Sequence, residues 1–245
     1  MTGVQTCALP IFEADESDGT FLVLPTTAAI ISNVEADHLN YWADYQAIED
    51  AFVDFAVNTG ERGGFAVVCI DGPGGRSVAD RARSRGARII TYGTSADADA
   101  VVHLEPSTDA AAHFTVSSRD GDIGPVVLRV PGEHNALNAT AAALVARELG
   151  VDAQGVVAGL AASPGTPRRF EFRGEAAGVR VFDDYAHHPT EIDPVLRAAR
   201  MVAGNGRVIV AFQAHHYYRT AMFSREFGQA LGLAEDRKST RLNSS

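Results

Sequence analysis

Runs of apolar residues alternate along the chain with segments whose apolar positions recur at helical spacing. Ala28–Val34 and Phe65–Ile70 predict buried strands, and between them Asp44–Val57 carries three large apolar residues on one helical face. A further helix and strand follow at Arg76–Arg85 and Arg88–Tyr92. Strands that alternate with helices predict βαβ units, so we expect an α/β fold with a mainly parallel sheet.

The pattern changes over Val101–Val130, where short strand-like runs surround the turn at Arg119–Gly124. This predicts an antiparallel hairpin at the edge of the sheet. Helical spacing returns at His134–Leu149 and Ala153–Ala162. The Pro- and Gly-rich segment Ser163–Pro167 then predicts a hinge between two domains.

A second alternation follows the hinge. Strands are predicted near Phe170–Arg173, at Val179–Asp183 and at Val208–Phe212, and helices at Pro189–Val202 and from about Thr220. This order predicts the first half of a second α/β domain.

Composition places the chain among soluble globular proteins, since 46% of its residues are hydrophobic and 21% are charged. No apolar run approaches the roughly 20 residues that a membrane helix needs. Two cysteines, Cys7 and Cys69, cannot form a disulfide framework, which fits a reducing cytoplasm. A net charge of −10 argues against nucleic acid or an anionic membrane as the main partner. We therefore expect a cytoplasmic protein.

The basic residues are almost all arginine, and the single lysine is Lys238. A phosphate-binding P-loop has the form G-x-x-x-x-G-K-[ST], in which backbone N–H groups and the lysine surround the phosphates. Residues 1–237 therefore contain no such loop.

The two ends share neither the composition nor the patterning of the interior. We expect residues 1–11 (Met1–Ile11) and 236–245 (Asp236–Ser245) to be non-native ends, the alternative being ordinary flexible termini. Two domains remain, at residues 12–166 and 167–235.

Two acidic clusters suggest a metal site. Glu13–Asp18 contains four carboxylates, and Glu35–His38 follows directly after the predicted strand that ends at Val34. Ligands in open α/β sheets bind outside the carboxyl ends of the strands, and hard oxygen donors suit Mg²⁺. Each cluster alone is also typical of a solvated turn, and a lone His38 of a structural histidine.

Two further motifs suggest nucleotide contacts. Asn135 and Asn138 share a helical face after Pro131-Gly132, where their amides can read a purine edge, although Asn135 alone would fit a helix cap. Arg168 and Arg169 follow the predicted hinge, where paired arginines can contact phosphates as domains close. A pair of surface arginines is the alternative.

The last two motifs also stand at predicted strand ends. Asp183–Pro189 (DDYAHHP) leads into a helix whose first residue is proline, and Phe212–Thr220 (FQAHHYYRT) follows the next strand. Zinc is a weaker interpretation of the adjacent His187 and His188, because neighbouring side chains on an extended chain point apart and no C-x-x-C or H-E-x-x-H accompanies them.

Taken together, EADESD, SNVEADHLNYW, PGEHNALNA, GTPRRFE, DDYAHHPTE and FQAHHYYRT resemble the Mur ligase family from about Phe12 to Glu235. The resemblance implies the later part of a P-loop-type central ATPase domain, without its P-loop, followed by the first half of a Rossmann-like C-terminal domain. It also implies a bacterial ligase of peptidoglycan synthesis that uses ATP and Mg²⁺. The substrates that it implies are UDP-N-acetylmuramate and L-alanine, joined through an acyl phosphate.

The resemblance assigns roles to matching positions. Those that would hold Mg²⁺ are Glu13 and His38. Those that would contact the nucleotide are His134, Asn135, Asn138, Arg168, Arg169 and Asp184. Those that would shape the L-alanine pocket are Tyr185, His187, His215 and Arg219. Within these sets, the catalytic group is expected to be His187, Arg169 and Asp184.

Three positions depart from the pattern that the resemblance implies. Asn40 replaces an aspartate, Ala214 a common proline, and His216 a residue that is often basic. Two alternatives stay open: a recycling ligase that attaches a preformed peptide to the same sugar nucleotide, and a nucleotide- or metal-binding domain without catalysis.

Overall fold

The structure is a computed structural model that describes residues 10–106 and 110–240. Most of the predicted non-native end at residues 1–11, and residues 241–245 of the other end, lie outside the described residues. Over the described part, the fold is the α/β architecture that the hydrophobic pattern predicts.

A six-stranded sheet organises the first half of the chain, in the order β1-β2-β3-β4-β5-β6. The strands are β1 (Ala28–Ile31), β2 (Phe65–Cys69), β3 (Ile89–Gly93), β4 (Ala100–Glu105), β5 (Ala112–Ser118) and β6 (Ile123–Leu128). β1 to β4 are parallel, whereas β5 runs antiparallel to both β4 and β6. The predicted parallel sheet with an antiparallel edge is therefore confirmed.

Helices cover both faces of this sheet. They are α1 (Tyr45–Glu61), α2 (Pro73–Ser84), α3 (Glu133–Glu148) and α4 (Ala153–Ala162). Residues of α1 and α2 pack into one apolar cluster and residues of α3 and α4 into another, so β2 between them is buried along its whole length. An all-apolar strand is what a position buried on both faces requires.

Two element boundaries differ from the sequence prediction for identifiable reasons. α1 begins at Tyr45 because Asp44 is its N-cap, whose carboxylate accepts a hydrogen bond from the Ala47 N–H at 2.9 Å. α2 begins at Pro73 rather than Arg76, because proline suits the first turn of a helix and its missing N–H costs nothing there.

The second half of the chain forms a smaller unit. Its elements are the hairpin β7 (Glu171–Ala176) and β8 (Val179–Asp183), then α5 (Pro189–Ala203), β9 (Ile209–Gln213), α6 (Tyr217–Met222), α7 (Ser224–Leu231) and β10 (Asp236–Thr240). A cluster around Ile192, Leu196, Phe227 and Leu231 packs α5 against α7. The predicted single helix from Thr220 is wrong: two helices meet at Phe223, whose backbone leaves the helical region.

β10 pairs in parallel with β9, from Asp236 beside Ile209 to Thr240 beside Gln213. The segment from Asp236 onward belongs to the predicted non-native end, and the structure continues the second sheet into it as far as Thr240. The chain from β9 through α6 and α7 to β10 thus forms one βαβ unit of the predicted Rossmann-like type.

β1 is an edge strand, paired on one side with β2, and its Ile30 is 47% exposed. An exposed apolar edge is a template for pairing with another chain. We expect the wild-type chain to self-associate and Ile30→Lys to shift sedimentation velocity toward the monomer. Val127→Lys, at a comparably exposed residue on the opposite edge strand β6, is the matched control. Equal effects of both substitutions would contradict association through β1.

Candidate active site in the cleft between the two units

The loop that follows β1 forms one wall of a cleft between the two units. His38 in this loop has a φ of 52°, a strained conformation that non-glycine residues adopt mainly where the surroundings enforce it. The carboxylate of Asp37 stabilises it by accepting the His38 N–H at 2.7 Å. The His38 ring faces two carboxylates, with Nε2 3.4 Å from Glu16 Oε1 and 3.6 Å from Asp37 Oδ2.

Within the acidic segment Glu13–Asp18, the side chain that contacts the His38 ring is therefore Glu16, whereas Glu13 is exposed. Trp42 holds the acidic segment in place, because its indole N–H donates to the Glu16 carbonyl at 2.9 Å. Within residues 10–106 and 110–240, no three or more His, Cys, Asp or Glu side chains form a cluster that could hold a metal ion. The assignment of Glu13 and His38 to Mg²⁺ stays a prediction.

Arg219 of α6 crosses the cleft to Asp37. Its side chain is 1% exposed, its Nε donates to Oδ1 at 3.1 Å, and its Nη2 donates to Oδ1 and Oδ2 at 2.9 and 2.8 Å. Partial burial by itself would raise the pKa of Asp37, but the hydrogen bonds from Arg219 and from the His38 N–H outweigh it. The pKa of Asp37 consequently lies below its ordinary value.

A second contact joins the same loop to the start of α5. The Thr190 hydroxyl donates to Glu35 Oε2 at 2.7 Å, and His188 Nδ1 lies 2.8 Å from that hydroxyl oxygen. Because the hydroxyl hydrogen points to Glu35, Nδ1 of His188 must be the donor to Thr190. His188 Nε2 is then an acceptor, buried and without a partner among the described residues. Burial lowers the pKa of His188, so its neutral form is favoured.

Asp184 fastens together the two segments on either side of the hairpin. Its Oδ2 accepts the Phe170 N–H at 2.8 Å and its Oδ1 accepts the Ala186 N–H at 2.7 Å. Phe170 and Arg168 both have positive φ angles, of 50° and 58°. Asp184 therefore maintains a strained turn that presents the paired arginines.

The paired arginines lie around Tyr185. The Arg168 guanidinium carbon is 4.6 Å from the centre of the Tyr185 ring, within cation–π distance, and that of Arg169 is 6.0 Å away. Arg169 Nη1 also lies 3.8 Å from Glu191 Oε1. Both arginines are half-exposed, which leaves their remaining donors accessible from the cleft.

Three of the residues predicted to shape the L-alanine pocket come together. The His187 ring lies 5.1 Å from that of Tyr185 and 6.4 Å from that of His215. Glu191 accepts the His187 N–H at 2.8 Å and thereby fixes the turn. Arg219, the fourth, is instead buried against Asp37 on the other unit.

His216 lies beside this group and is also strained, with a φ of 64°. Its ring centre is 4.0 Å from that of His215. Burial first, and then the nearby His215, Arg219 and His38, lower the pKa of His216. The charge of Asp37 acts in the opposite direction but does not outweigh them.

The start of α3 forms the remaining wall. Gly132 has a φ of 104°, and a Cβ there would approach His134 Cε1 to 2.6 Å, so glycine is required at this N-cap. Asn135 is not the N-cap, which is Gly132; its Nδ2 donates to the Pro131 carbonyl at 2.7 Å, and Asn138 is exposed. The structure therefore does not bring the two amides to a common partner.

His134 lies close to Asp184 and Arg169, so three of the predicted nucleotide-contacting residues converge. Burial lowers the pKa of His134, the charge of Asp184 opposes this effect, and that of Arg169 reinforces it. Its Nδ1 is buried and has no partner among the described residues.

Two cavities open at this boundary. One of about 640 Å³ lies between His134, Leu137 and the α5 residues Asp193 and Arg197. The other, of about 440 Å³, lies at the hinge and is lined by residues that include Thr166, Arg169 and Phe182. Their position between the units suits a ligand that both units must contact.

The resemblance assigned no role to four residues of the cleft, Glu35, Asp37, His188 and Thr190, although Glu35 and Asp37 belong to an acidic cluster that suggested a metal site. All four belong to the quoted motifs EADH and HHPTE, which is a signal that they take part. Their partners are nevertheless more than 150 positions away along the chain, and sequence spacing carries no information about such pairs.

Neutral His134 makes stability depend on pH. The pKa of His134 is lower in the folded chain than the ordinary value near 6.5. The contribution of neutral His134 to the free energy of unfolding is therefore present above pH 6.5 and is lost as pH falls toward the lowered pKa. We expect the melting temperature to fall from pH 7.5 to pH 5.5 and His134→Gln to reduce that fall. His103→Gln, at an exposed histidine on β4, is the control. The same slope in wild type and His134→Gln would contradict this assignment.

Comparison with known proteins gives a consistent result. The family described as Mur ligase middle domain matches residues 5–146, and the family described as Mur ligase, glutamate ligase domain matches residues 168–238. These ranges reach into both predicted non-native ends, residues 1–11 and 236–245.

Curated relatives are similar over nearly the whole chain. UDP-N-acetylmuramate–L-alanine ligases of Acidothermus cellulolyticus and Kineococcus radiotolerans are 53% and 50% identical over 94% and 92% of this chain. The chain spans about half of their length, at 48% and 47%.

A solved structure extends the similarity to three dimensions. The crystal structure of a UDP-N-acetylmuramate-alanine ligase from Thermotoga maritima superposes with a TM-score of 0.75 at 27% identity. The superposition covers 94% of this chain and 49% of the Thermotoga maritima chain. Separately, no helix within the described residues has both the length and the apolar character that a membrane crossing requires.

Proposed function

The chain belongs to the Mur ligase family, and on that basis we propose that it is part of an ATP-dependent ligase that joins UDP-N-acetylmuramate to L-alanine. The product is the amide between the lactyl carboxylate of the sugar nucleotide and the amino group of alanine. This reaction is a step of peptidoglycan precursor synthesis. The relatives that carry this name are among the most similar ones, and the chain contains about half of such a protein.

One observation supports the proposal most strongly. The loop of Glu35 to His38 contacts Thr190 and Arg219 of the other unit, so the predicted metal side and the predicted amino-acid side share one cleft. A ligase that forms an acyl phosphate and then aminolyses it needs both sites within reach of one carboxylate carbon.

The donor set fits Mg²⁺ by its chemistry. Glu16 and Asp37 offer hard carboxylate oxygens near the His38 imidazole, and Mg²⁺ usually completes its shell with waters and substrate phosphates. Bound there, the ion would neutralise charge that develops on the phosphoryl oxygens. Within this assignment, Glu13 and His38 are the expected direct ligands.

The arginines act on the nucleotide from the other unit. Arg168 and Arg169 present half-exposed guanidinium groups to the cleft, suited to phosphate oxygens, and Asp184 holds the turn that orients them. Asp184 can also accept a hydrogen bond from a ribose hydroxyl through its remaining lone pairs. His134 and the hinge cavity lie beside this group, where Asn135 and Asn138 are expected to approach the adenine.

The amino acid would enter beside Tyr185, His187 and His215. As the amine attacks the acyl carbon, an oxyanion develops and a proton leaves the nitrogen. His187 is a candidate to accept this proton, because its Nδ1 lies 3.0 Å from the Tyr185 carbonyl oxygen and, as the donor to it, leaves Nε2 as the basic nitrogen of the neutral ring.

Selectivity for the amine tests the proposal. In the longer ligase that contains this chain, we expect ADP release with UDP-N-acetylmuramate to depend on L-alanine and not on the tripeptide L-alanyl-D-glutamyl-diaminopimelate. The tripeptide matters because the recycling ligase of the same family uses a preformed peptide. ADP release that responds to the tripeptide and not to L-alanine would overturn the proposal.

The 245-residue chain by itself should not catalyse the reaction. It contains no G-x-x-x-x-G-K-[ST] motif, and residues 1–237 contain no lysine, so it provides no P-loop for the γ-phosphate. We expect no acyl phosphate above background, measured by trapping with hydroxylamine. Acyl-phosphate formation by the isolated chain would contradict this expectation. Mg²⁺-dependent binding of ATP without turnover would agree with a partial site.

A further inference from the structure

Arg219 has a donor that its visible partners leave unused. Asp37 occupies the edge of the guanidinium formed by Nε and Nη2, at 2.8 to 3.1 Å. Nη1, at the other end of the group, is buried and has no hydrogen-bond partner among the described residues. A guanidinium offers its five N–H donors in a fixed plane, so the orientation of Nη1 is determined by the contact with Asp37.

The unused donor of Arg219 suits a small anion. Arg219 is 1% exposed, so a charged partner of Nη1 would interact with it in a place shielded from water. Asp37 balances the positive charge of Arg219, and its two oxygens already accept hydrogen bonds from Arg219 and from the His38 N–H. A carboxylate is the ligand whose geometry matches a guanidinium edge.

We propose that Asp37 is a positioning residue for amino-acid binding, which holds Arg219 so that Nη1 receives the carboxylate of the incoming L-alanine. This inference rests on the proposed function and goes beyond it. The family resemblance places Arg219 in the pocket, but it gives Asp37 no role and does not say which atom of Arg219 is available. The first unit, which carries the predicted metal loop, would thereby determine the affinity of the second unit for the amino acid.

The competing explanation is that the ion pair only docks the two units. The structure offers a control for docking, because Thr190 and Glu35 join the same loop to the same unit without touching Arg219. Glu35→Gln should therefore weaken docking while the orientation of Arg219 is kept. Asp37→Asn should weaken docking and also release Arg219.

The test measures binding of two ligands to the 245-residue chain by NMR titration. L-alanine carries the carboxylate, and L-alaninamide replaces it with a neutral amide of nearly the same shape. We expect wild type to prefer L-alanine, and Asp37→Asn to raise the Kd for L-alanine about tenfold with the Kd for L-alaninamide unchanged. Glu35→Gln should leave the ratio of the two Kd values as in wild type. Asp50→Asn, at an exposed carboxylate paired with Arg81 on α2, is the control for removal of one surface charge.

A charge exchange separates positioning from folding. In the double variant Asp37→Arg with Arg219→Asp, the ion pair can re-form, but the guanidinium then extends from the opposite unit. We expect its melting temperature to recover relative to the single variants, while the preference for L-alanine does not return. A preference that returns with the melting temperature would show that the pair serves docking alone.

Two other results would overturn the inference. One is an unchanged ratio of the two Kd values in Asp37→Asn, and the other is a wild-type chain with no preference for L-alanine over L-alaninamide. Neither result decides the proposed function, which is judged by L-alanine-dependent ADP release in the longer ligase. A ligase without that dependence would refute the proposed function whatever the isolated chain binds.

Discussion

The ion pair between Arg219 and Asp37 is the contact on which the arrangement of the cleft depends. A guanidinium that is 1% exposed requires a charged partner, because an isolated buried charge loses its hydration without compensation. Removal of one partner from a buried pair typically costs about 3–5 kcal/mol. We expect the lower end here, since Asp37 keeps 21% of its side chain exposed. The pair fixes which face of the second unit meets the loop after β1.

The cleft also depends on where strands end. The loop of Glu35 to His38 follows β1, the Asp184 turn follows β8, and His215 follows β9, so all three groups stand just beyond the carboxyl ends of strands. Loops at these ends are free of the sheet's hydrogen bonding and can present side chains to a ligand. Four strained residues lie in these loops or at the adjoining hinge: His38, Arg168, Phe170 and His216. Strain at such a density marks a place where geometry is maintained for function.

Much of the fold follows from local physical chemistry. Apolar runs of strand length, helical spacing in α1 and α3, and the Pro/Gly segment at the hinge were enough to predict the order of the elements up to α5. Three differences have local causes that periodicity does not report: Asp44 and Pro73 shift helix starts, and Phe223 divides the predicted last helix into α6 and α7. Three of the predicted site residues of the second unit, Tyr185, His187 and His215, were also found in one group, and they follow the ends of the successive strands β8 and β9.

The sequence by itself determined the fold class, the family and the motifs, since each can be recognised from residues that are close along the chain. Tertiary structure decided the partners. It brought Glu16 rather than Glu13 to His38, bound Arg219 to Asp37, and joined Thr190 to Glu35. The physical reason is that a charged side chain takes the nearest opposite charge or donor in space. For the contacts across this cleft, that neighbour is set by the docking of two units that each have their own apolar clusters.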